Sequence, residues 1–105
     1  MKNVRRRYLA LHVDSAEPFS SSELMNAVWN AVMKLYGEYG ASQAGLSLIS
    51  YEPQERFAVM RVGHRAVEMV RASLASITSI ASKPAAVHVL RVSGTIKALR
   101  KKTRL

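Results

Sequence analysis

The sequence predicts an α+β domain in which a four-stranded antiparallel sheet carries two helices on one face. Three observations predict it. Short segments of alternating apolar and polar residues read as strands, two longer segments carry apolar residues at helical spacing, and the two kinds follow one another as β-α-β-β-α-β. At 105 residues the chain has room for one domain with a modest core. Its parts are a basic flank at 1–7, an α/β core at 8–94 and a basic C-terminal tail at 95–105.

Residues 5–13, RRRYLALHV, alternate as the first strand, with Leu9, Leu11 and Val13 on one face and Tyr8, Ala10 and His12 on the other. Pro18 stops the extended run. Ser20 is a helix N-cap, Glu23 completes a capping box, and Phe19 and Leu24 hold the two hydrophobic-staple positions. The spacing predicts a helix over Ser21–Tyr36 with an apolar stripe of Leu24, Val28, Ala31, Val32 and Leu35. Met25, Trp29, Met33 and Tyr36 widen that stripe beyond what one sheet face needs, so the helix is either deeply buried or meets a partner. Gly37 and Gly40 end it.

Leu46–Tyr51 and Arg56–Val62 read as an antiparallel hairpin around the polar turn Glu52-Pro53-Gln54-Glu55. After Gly63, His64–Ile80 reads as the second helix, with Val67, Val70, Leu74, Ile77 and Ala81 on one face. Ser82-Lys83-Pro84 is a stop, and Val87–Ser93 is the fourth strand. The order gives the ferredoxin-like, RRM-like split β-α-β arrangement. Thr95–Leu105 is a short basic helix or a mobile tail.

In this register Ala58, Met60, Val62, Leu90 and Val92 join Leu9, Leu11 and Val13 under the helices. The opposite face then carries Tyr8, Ala10, His12, Phe57, Val59, Arg61, Val87, Val89 and Arg91. That face is too apolar to be simply solvated. It docks a protein, stacks bases, or lies beneath the C-terminal segment. Docking ranks ahead of stacking because RFAVMRV lacks the glycine-aromatic motif of RNA-recognition domains. Phe57, Val59, Val87, Val89 and Trp29 are the candidate protein-interface residues.

The formal charge is +9, and it is unevenly placed. Lys2, Arg5, Arg6 and Arg7 lie in residues 1–7, and Lys97, Arg100, Lys101, Lys102 and Arg104 in residues 97–105, with no acid in either stretch. Residues 8–96 hold seven basic and seven acidic residues, so the whole excess sits on the flanks. Such flanks suit a polyanion, nucleic acid first and an anionic surface second. First and last strands are neighbours and antiparallel in this topology, so the two flanks should emerge side by side. Arg5, Arg6, Arg7, Lys97, Arg100, Lys101, Lys102 and Arg104 are the candidate nucleic-acid-binding residues. Arg71 is expected to pair with Glu68 or Glu52, and Arg91 to sit at an interface rim.

Catalytic chemistry is absent from the sequence pattern. There is no cysteine, which excludes disulfides and thiolate sites. His12, His64 and His88 have no partner at a metal-ligand spacing, and Asp14 and Glu17 read as loop polars rather than an acid–base pair. His64 caps the second helix, binds phosphate there, or is a plain surface residue. No P-loop, GxGxxG or GxSxG is present. No run approaches the roughly 18–20 apolar residues of a membrane span, and no signal-peptide pattern is seen; a soluble, cytoplasmic setting is expected.

Arg7-Tyr8-Leu9, Arg61-Val62, Val70-Arg71-Ala72 and the run Ser93-Gly94-Thr95-Ile96-Lys97 occur in one order over nearly the whole chain. In this the chain resembles the archaeal ribonuclease P protein component 2 family, departing from it in the bulky Phe57 of strand three. The resemblance implies a non-catalytic subunit of an endonuclease that removes the 5′ leader of precursor tRNA. It also implies that the RNA subunit carries catalysis with Mg²⁺ while the proteins assist RNA folding and substrate engagement. The implied partners are ribonuclease P RNA, precursor tRNA, a TIM-barrel-like protein subunit and a second copy of this chain within a heterotetramer, with no membrane and no cofactor on the protein itself. Two rivals fit the residues less fully: a dimeric ferredoxin-like regulatory or ligand-binding domain without RNA, and a ribosome-associated RNA binder.

Overall fold

A computed structural model describes residues 5–97. The chain runs β1 (Arg6–Ser15), α1 (Ser21–Gln43), β2 (Ser47–Glu52), β3 (Phe57–Gly63), α2 (Val67–Ala75), β4 (Ser79–Ile80) and β5 (Lys83–Ser93). Short 3₁₀ turns at Pro53–Glu55 and His64–Ala66 join β2 to β3 and β3 to α2. The strands form one antiparallel sheet in the order β2-β3-β1-β5-β4. The four long strands are the predicted ones in the order a βαββαβ chain gives; the fifth, β4, was not expected.

β1 is the centre of the sheet. It pairs with β3 from Arg6↔Gly63 to His12↔Phe57 and with β5 from Tyr8↔Ser93 to Ser15↔Ala85. Leu9, Leu11 and Val13 are fully buried against Leu24 and Val28 of α1 and Val70 and Leu74 of α2, with Ala58, Met60 and Val62 from β3. Each such large aliphatic side chain contributes about 1.5–3 kcal/mol by leaving water. The N-terminus of α1 matches expectation in detail. Glu23 N–H donates to Ser20 Oγ at 3.1 Å, and Ser20 N–H donates to the Glu23 carboxylate at 2.8 Å. The helix continues to Gln43 but breaks at Gly37, whose φ of 78° is where glycine costs least.

Besides this extension of α1 past Tyr36, three features differ from the sequence reading. The second helix is shorter, ending at Ala75: the Ser76 hydroxyl donates to Ser73 O at 2.7 Å, and Ile77 N–H donates to Leu74 O in the tighter i→i−3 pattern of a helix end. Ser79 and Ile80 then pair with Pro84 and Lys83 around a two-residue turn, Ala81-Ser82. Both turn residues have positive φ, 52° and 68°, as a primed hairpin turn requires, although neither is the Asn or Gly that adopts it cheaply.

The third difference changes the faces of β5. Ala10 pairs with Arg91 but Leu11 pairs with Val89, so Leu90 is an unpaired extra residue, a β-bulge. Side chains alternate with period two, so one extra residue exchanges the faces on either side of it. Val87 is therefore in the core at 6% exposure and Val89 packs against it, which corrects their placement on the open face. Leu90, expected under the helices, is 51% exposed. His12 and His88, expected on opposite faces, are cross-strand partners with stacked rings 6.3 Å apart. A second register shift places Ile49 between Leu48↔Met60 and Ser50↔Val59, at the same level of the sheet.

Arg56 locks the far end of the sheet. It adopts a left-handed conformation with φ 57° after the Pro53–Glu55 turn, and its guanidinium donates to Ala16 O (2.9 Å), Pro53 O (3.0 Å), Ser15 O (3.4 Å) and Gln54 O (3.4 Å). The charge predicted for a strand end is thus committed to carbonyl groups. The positive φ pair at the β4–β5 turn yields a test. The double variant Ala81→Asn/Ser82→Gly should raise stability by about 1 kcal/mol, seen as a higher melting temperature. An unchanged or lower melting temperature would show that the turn holds no strain.

Candidate nucleic-acid interface

Three strand ends meet at one end of the sheet: the start of β1, the end of β3 and the end of β5. Arg6 faces Gly63, Arg7 faces Val62, and Tyr8 faces Ser93 across the sheet. The convergence is held by backbone bonds. His64 N–H donates to Arg5 O at 2.9 Å, and Gly63 N–H donates to Ala44 O at 2.9 Å. After β5, Thr95 N–H donates to Ser93 Oγ, and the chain turns helical at Ile96. A Cβ placed on Gly94 would lie 3.8 Å from Arg7 Nη1, so the side chain of Arg7 reaches the point where β5 gives way to the C-terminal flank. The expectation that they emerge side by side is met over the described residues.

This arrangement gathers Arg5, Arg6, Arg7 and Lys97 with Arg61 and Arg65, two cations that the sequence reading left inside the neutral domain. Arg5, Arg6, Arg65 and Lys97 are exposed, while Arg7 and Arg61 are half-buried. Arg7 donates to Arg6 O at 3.1 Å. Among the described residues the ion pair Lys83–Glu17 at 3.1 Å and the approach of His88 Nε2 to Asp14 Oδ2 at 3.9 Å both lie toward the opposite end. No carboxylate among the described residues makes an ion pair with the cluster. Arg71 is exposed on α2 and makes neither of the ion pairs expected of it. Arg100, Lys101, Lys102 and Arg104 lie outside the described residues.

The acids occupy the other end. Asp14 and Glu17 follow β1, Glu23 opens α1, and Glu52 and Glu55 flank the β2–β3 turn, whereas Glu38 and Glu68 lie on the helices. Five of the seven core acids thus lie toward one end of the sheet, with Arg56 and Lys83 among them, while Glu68 stands in the first turn of α2, just after the end of β3. A surface groove of about 600 Å³ at the acidic end is lined by Asp14, Ser15, Glu17, Phe19, Ile77 and Lys83, with the exposed Glu17–Lys83 pair beside it.

The open face of the sheet also differs from expectation. Its floor is Ala10 and Val59, at 0% and 1% exposure, with Tyr8, Ile49 and Phe57 packed around them. His12, His88, Arg61 and Arg91 complete it. Val59 is covered, Phe57 is half-buried, and Trp29 lies elsewhere, on α1, at 38% exposure. Trp29 shares a helical flank with Tyr36, 44% exposed, and with Met25 and Met33. Leu35 and Tyr39 add exposed apolar surface near the Gly37 break. Among the described residues no group of three or more His, Cys, Asp or Glu could hold a metal ion, and no helix is long and apolar enough to cross a membrane.

On a small α+β domain, a convergent cationic end is the electrostatic footprint of nucleic-acid binding. Comparison with known proteins narrows this. The model of the Rpp14/Pop5 family matches residues 7–104, and the chain belongs to that family. Relatives include ribonuclease P protein component 2 of Methanosarcina mazei, 36% identical over 89% of this chain and 78% of the relative. The proteins of the same name from Pyrococcus furiosus and Pyrococcus abyssi are 35% and 33% identical, each match covering 93% of this chain and 82% and 83% of the relative. In fold, the chain is similar to a chain in the cryo-EM structure of yeast ribonuclease MRP, with a TM-score of 0.74 and 18% identity over 90% of this chain and 78% of that one.

The cluster's cations hold none of the described fold together by side-chain ion pairs. The triple variant Arg5→Ser/Arg65→Ser/Lys97→Ser should therefore keep its unfolding free energy within about 0.5 kcal/mol of the parent in urea titrations. A loss several times larger would show that these side chains are structural.

Proposed function

We propose that this chain is a protein subunit of ribonuclease P, the role named in its relatives, and that its basic end binds the RNA subunit. The observation that supports the binding reading best is the meeting of the described parts of both basic flanks at one sheet end, with no acid in ion-pair contact among the described residues. Cations left unpaired in the fold are available to phosphates. Arg5, Arg6, Arg7, Arg65 and Lys97 form the described part of this surface, and Arg100, Lys101, Lys102 and Arg104 follow Lys97 in the sequence. The chain takes part in an endonuclease assembly without supplying catalytic groups. The RNA subunit carries the chemistry with Mg²⁺, and this protein helps the RNA fold and engage precursor tRNA.

Protein assembly falls to α1. The exposed flank of Trp29, Met33 and Tyr36 is the apolar surface that the sequence predicted in excess of core needs, and it suits the TIM-barrel-like subunit within a heterotetramer built around two copies of this chain. The cytoplasm is the compartment in which this role is carried out.

Two measurements check this. If about six phosphates are neutralised, the binding constant for ribonuclease P RNA should fall with salt at a log–log slope of roughly −4 to −5, and removing residues 98–105 should make the slope shallower while the melting temperature holds. A slope near zero would sink the basic-end reading. Trp29 is the sole tryptophan, so its emission should shift to the blue when the protein partner binds. Unchanged emission on a complex shown to form by gel filtration would move the protein interface off α1.

A further inference from the structure

We infer that the open face of the sheet is a stacking platform for an unpaired stretch of the RNA subunit, continuous with the RNA held at the basic end. The inference rests on the RNA-binding reading above and adds a second mode of recognition to it. Its origin is the bulge at Leu90. An even alternation along β5 would pave this face with Val87 and Val89, a surface suited to a protein. The bulge sends both valines into the core and leaves His88 and Arg91 outside.

The cross-strand register then sorts the face into three rows. The first is Arg61–Tyr8–Ser93, next to the basic end. The second is Val59–Ala10–Arg91, and the third is Phe57–His12–His88. The third row is a band of three rings on three adjacent strands, with the two imidazoles stacked at an interplanar angle of 19°. The middle row is low, because its floor is an alanine and a covered valine. Tyr8 and His12 are four residues apart on one strand, about 13 Å. The two ring-bearing rows therefore flank a shallow tray, with flat π surfaces at each end and guanidinium groups of Arg61 and Arg91 within it.

These features favour RNA over protein. Rings on the two central strands of an antiparallel sheet stack about two bases in RNA-recognition domains, and here Tyr8 and His12 come from β1 and Phe57 from β3. Guanidinium groups serve both phosphates and base faces. Arg91 is exposed and, among the described residues, makes no ion pair. The charge along the face changes sign once. It begins beside the cationic cluster and ends at Asp14 and Glu52, which repel a phosphate chain. An RNA strand is thus admitted from the basic end and stopped beyond the third row. The tray is narrow and stacks flat bases, so it selects unpaired nucleotides over duplex.

The test uses the full chain with two RNAs of equal phosphate number, an unpaired oligonucleotide carrying 2-aminopurine and a closed hairpin duplex. The parent should bind the unpaired RNA more tightly and change its 2-aminopurine emission. Tyr8→Leu/Phe57→Leu, which keeps apolar cover over Val59, should lose about fivefold or more in affinity for the unpaired RNA. Its affinity for the duplex should stay within about twofold, with the same salt slope. Equal binding of both RNAs by the parent, or an unaffected double variant, overturns the platform and leaves the basic-end reading standing. Salt-independent binding to both RNAs overturns that reading and the platform with it. In the reconstituted holoenzyme, p-benzoylphenylalanine in place of Phe57 should crosslink to the RNA subunit. A crosslink to precursor tRNA or to a protein subunit overturns the assignment.

Discussion

The pairing of β1 on both of its edges is the constraint from which the other arrangements follow. A strand bonded on one side to β3 and on the other to β5 has its backbone groups satisfied without solvent, and it can then bury Leu9, Leu11 and Val13 completely. Antiparallel pairing also fixes polarity. The start of β1 must lie beside the ends of β3 and β5, so two basic segments nearly ninety positions apart become neighbours without any attraction between them. Like charges are brought together by backbone hydrogen bonds and hydrophobic burial, and the electrostatic cost is carried by the fold. Phosphates bound as proposed would relieve that cost, which ties the stability of the sheet to the function proposed for its end.

The two register shifts act on the same level of the sheet, on either side of Ala10. Bulges increase local twist and re-aim side chains. On β5 the extra residue serves two demands at once. It lets Val87, Val89 and Val92 all pack toward the core although their positions do not share one parity, and it turns His88 and Arg91 outward. A regular strand of the same composition would have to give up either core volume or the cationic, π-rich character of the other face.

Much of this was legible in the residues. The capping box at Ser20 and Glu23, the strand order and the meeting of the basic flanks follow from local chemistry and topology, and each is present in the structure. The bulge was not read, although a signal existed: aliphatics at 87 and 89 followed by one at 92 break the period of two within a single strand. The β4 turn was hidden because Ala81 and Ser82 do not advertise positive φ. Arg56 was hidden for a different reason. Its four carbonyl partners come from the end of β1 and the turn before it, and two of them are some forty residues away, so no local pattern marks it. The wide stripe of α1 was legible as excess, and the exposure of Trp29 and Tyr36 shows where the excess goes.

The division of charge between the two ends of the sheet has a kinetic consequence. A body with cations at one pole and Asp14, Glu17, Glu23, Glu52 and Glu55 toward the other is a dipole as well as a net cation. In the field of a polyanion it experiences a torque before it makes contact. The protein then turns its cationic pole inward during approach, and collisions with the acidic pole forward are discouraged. A uniformly basic protein of the same net charge would be drawn in as strongly but in random attitudes, and would have to search for the right one on the RNA surface. The separation of poles therefore acts on the fraction of encounters that are productive, a quantity invisible in the bound complex and most evident at low ionic strength.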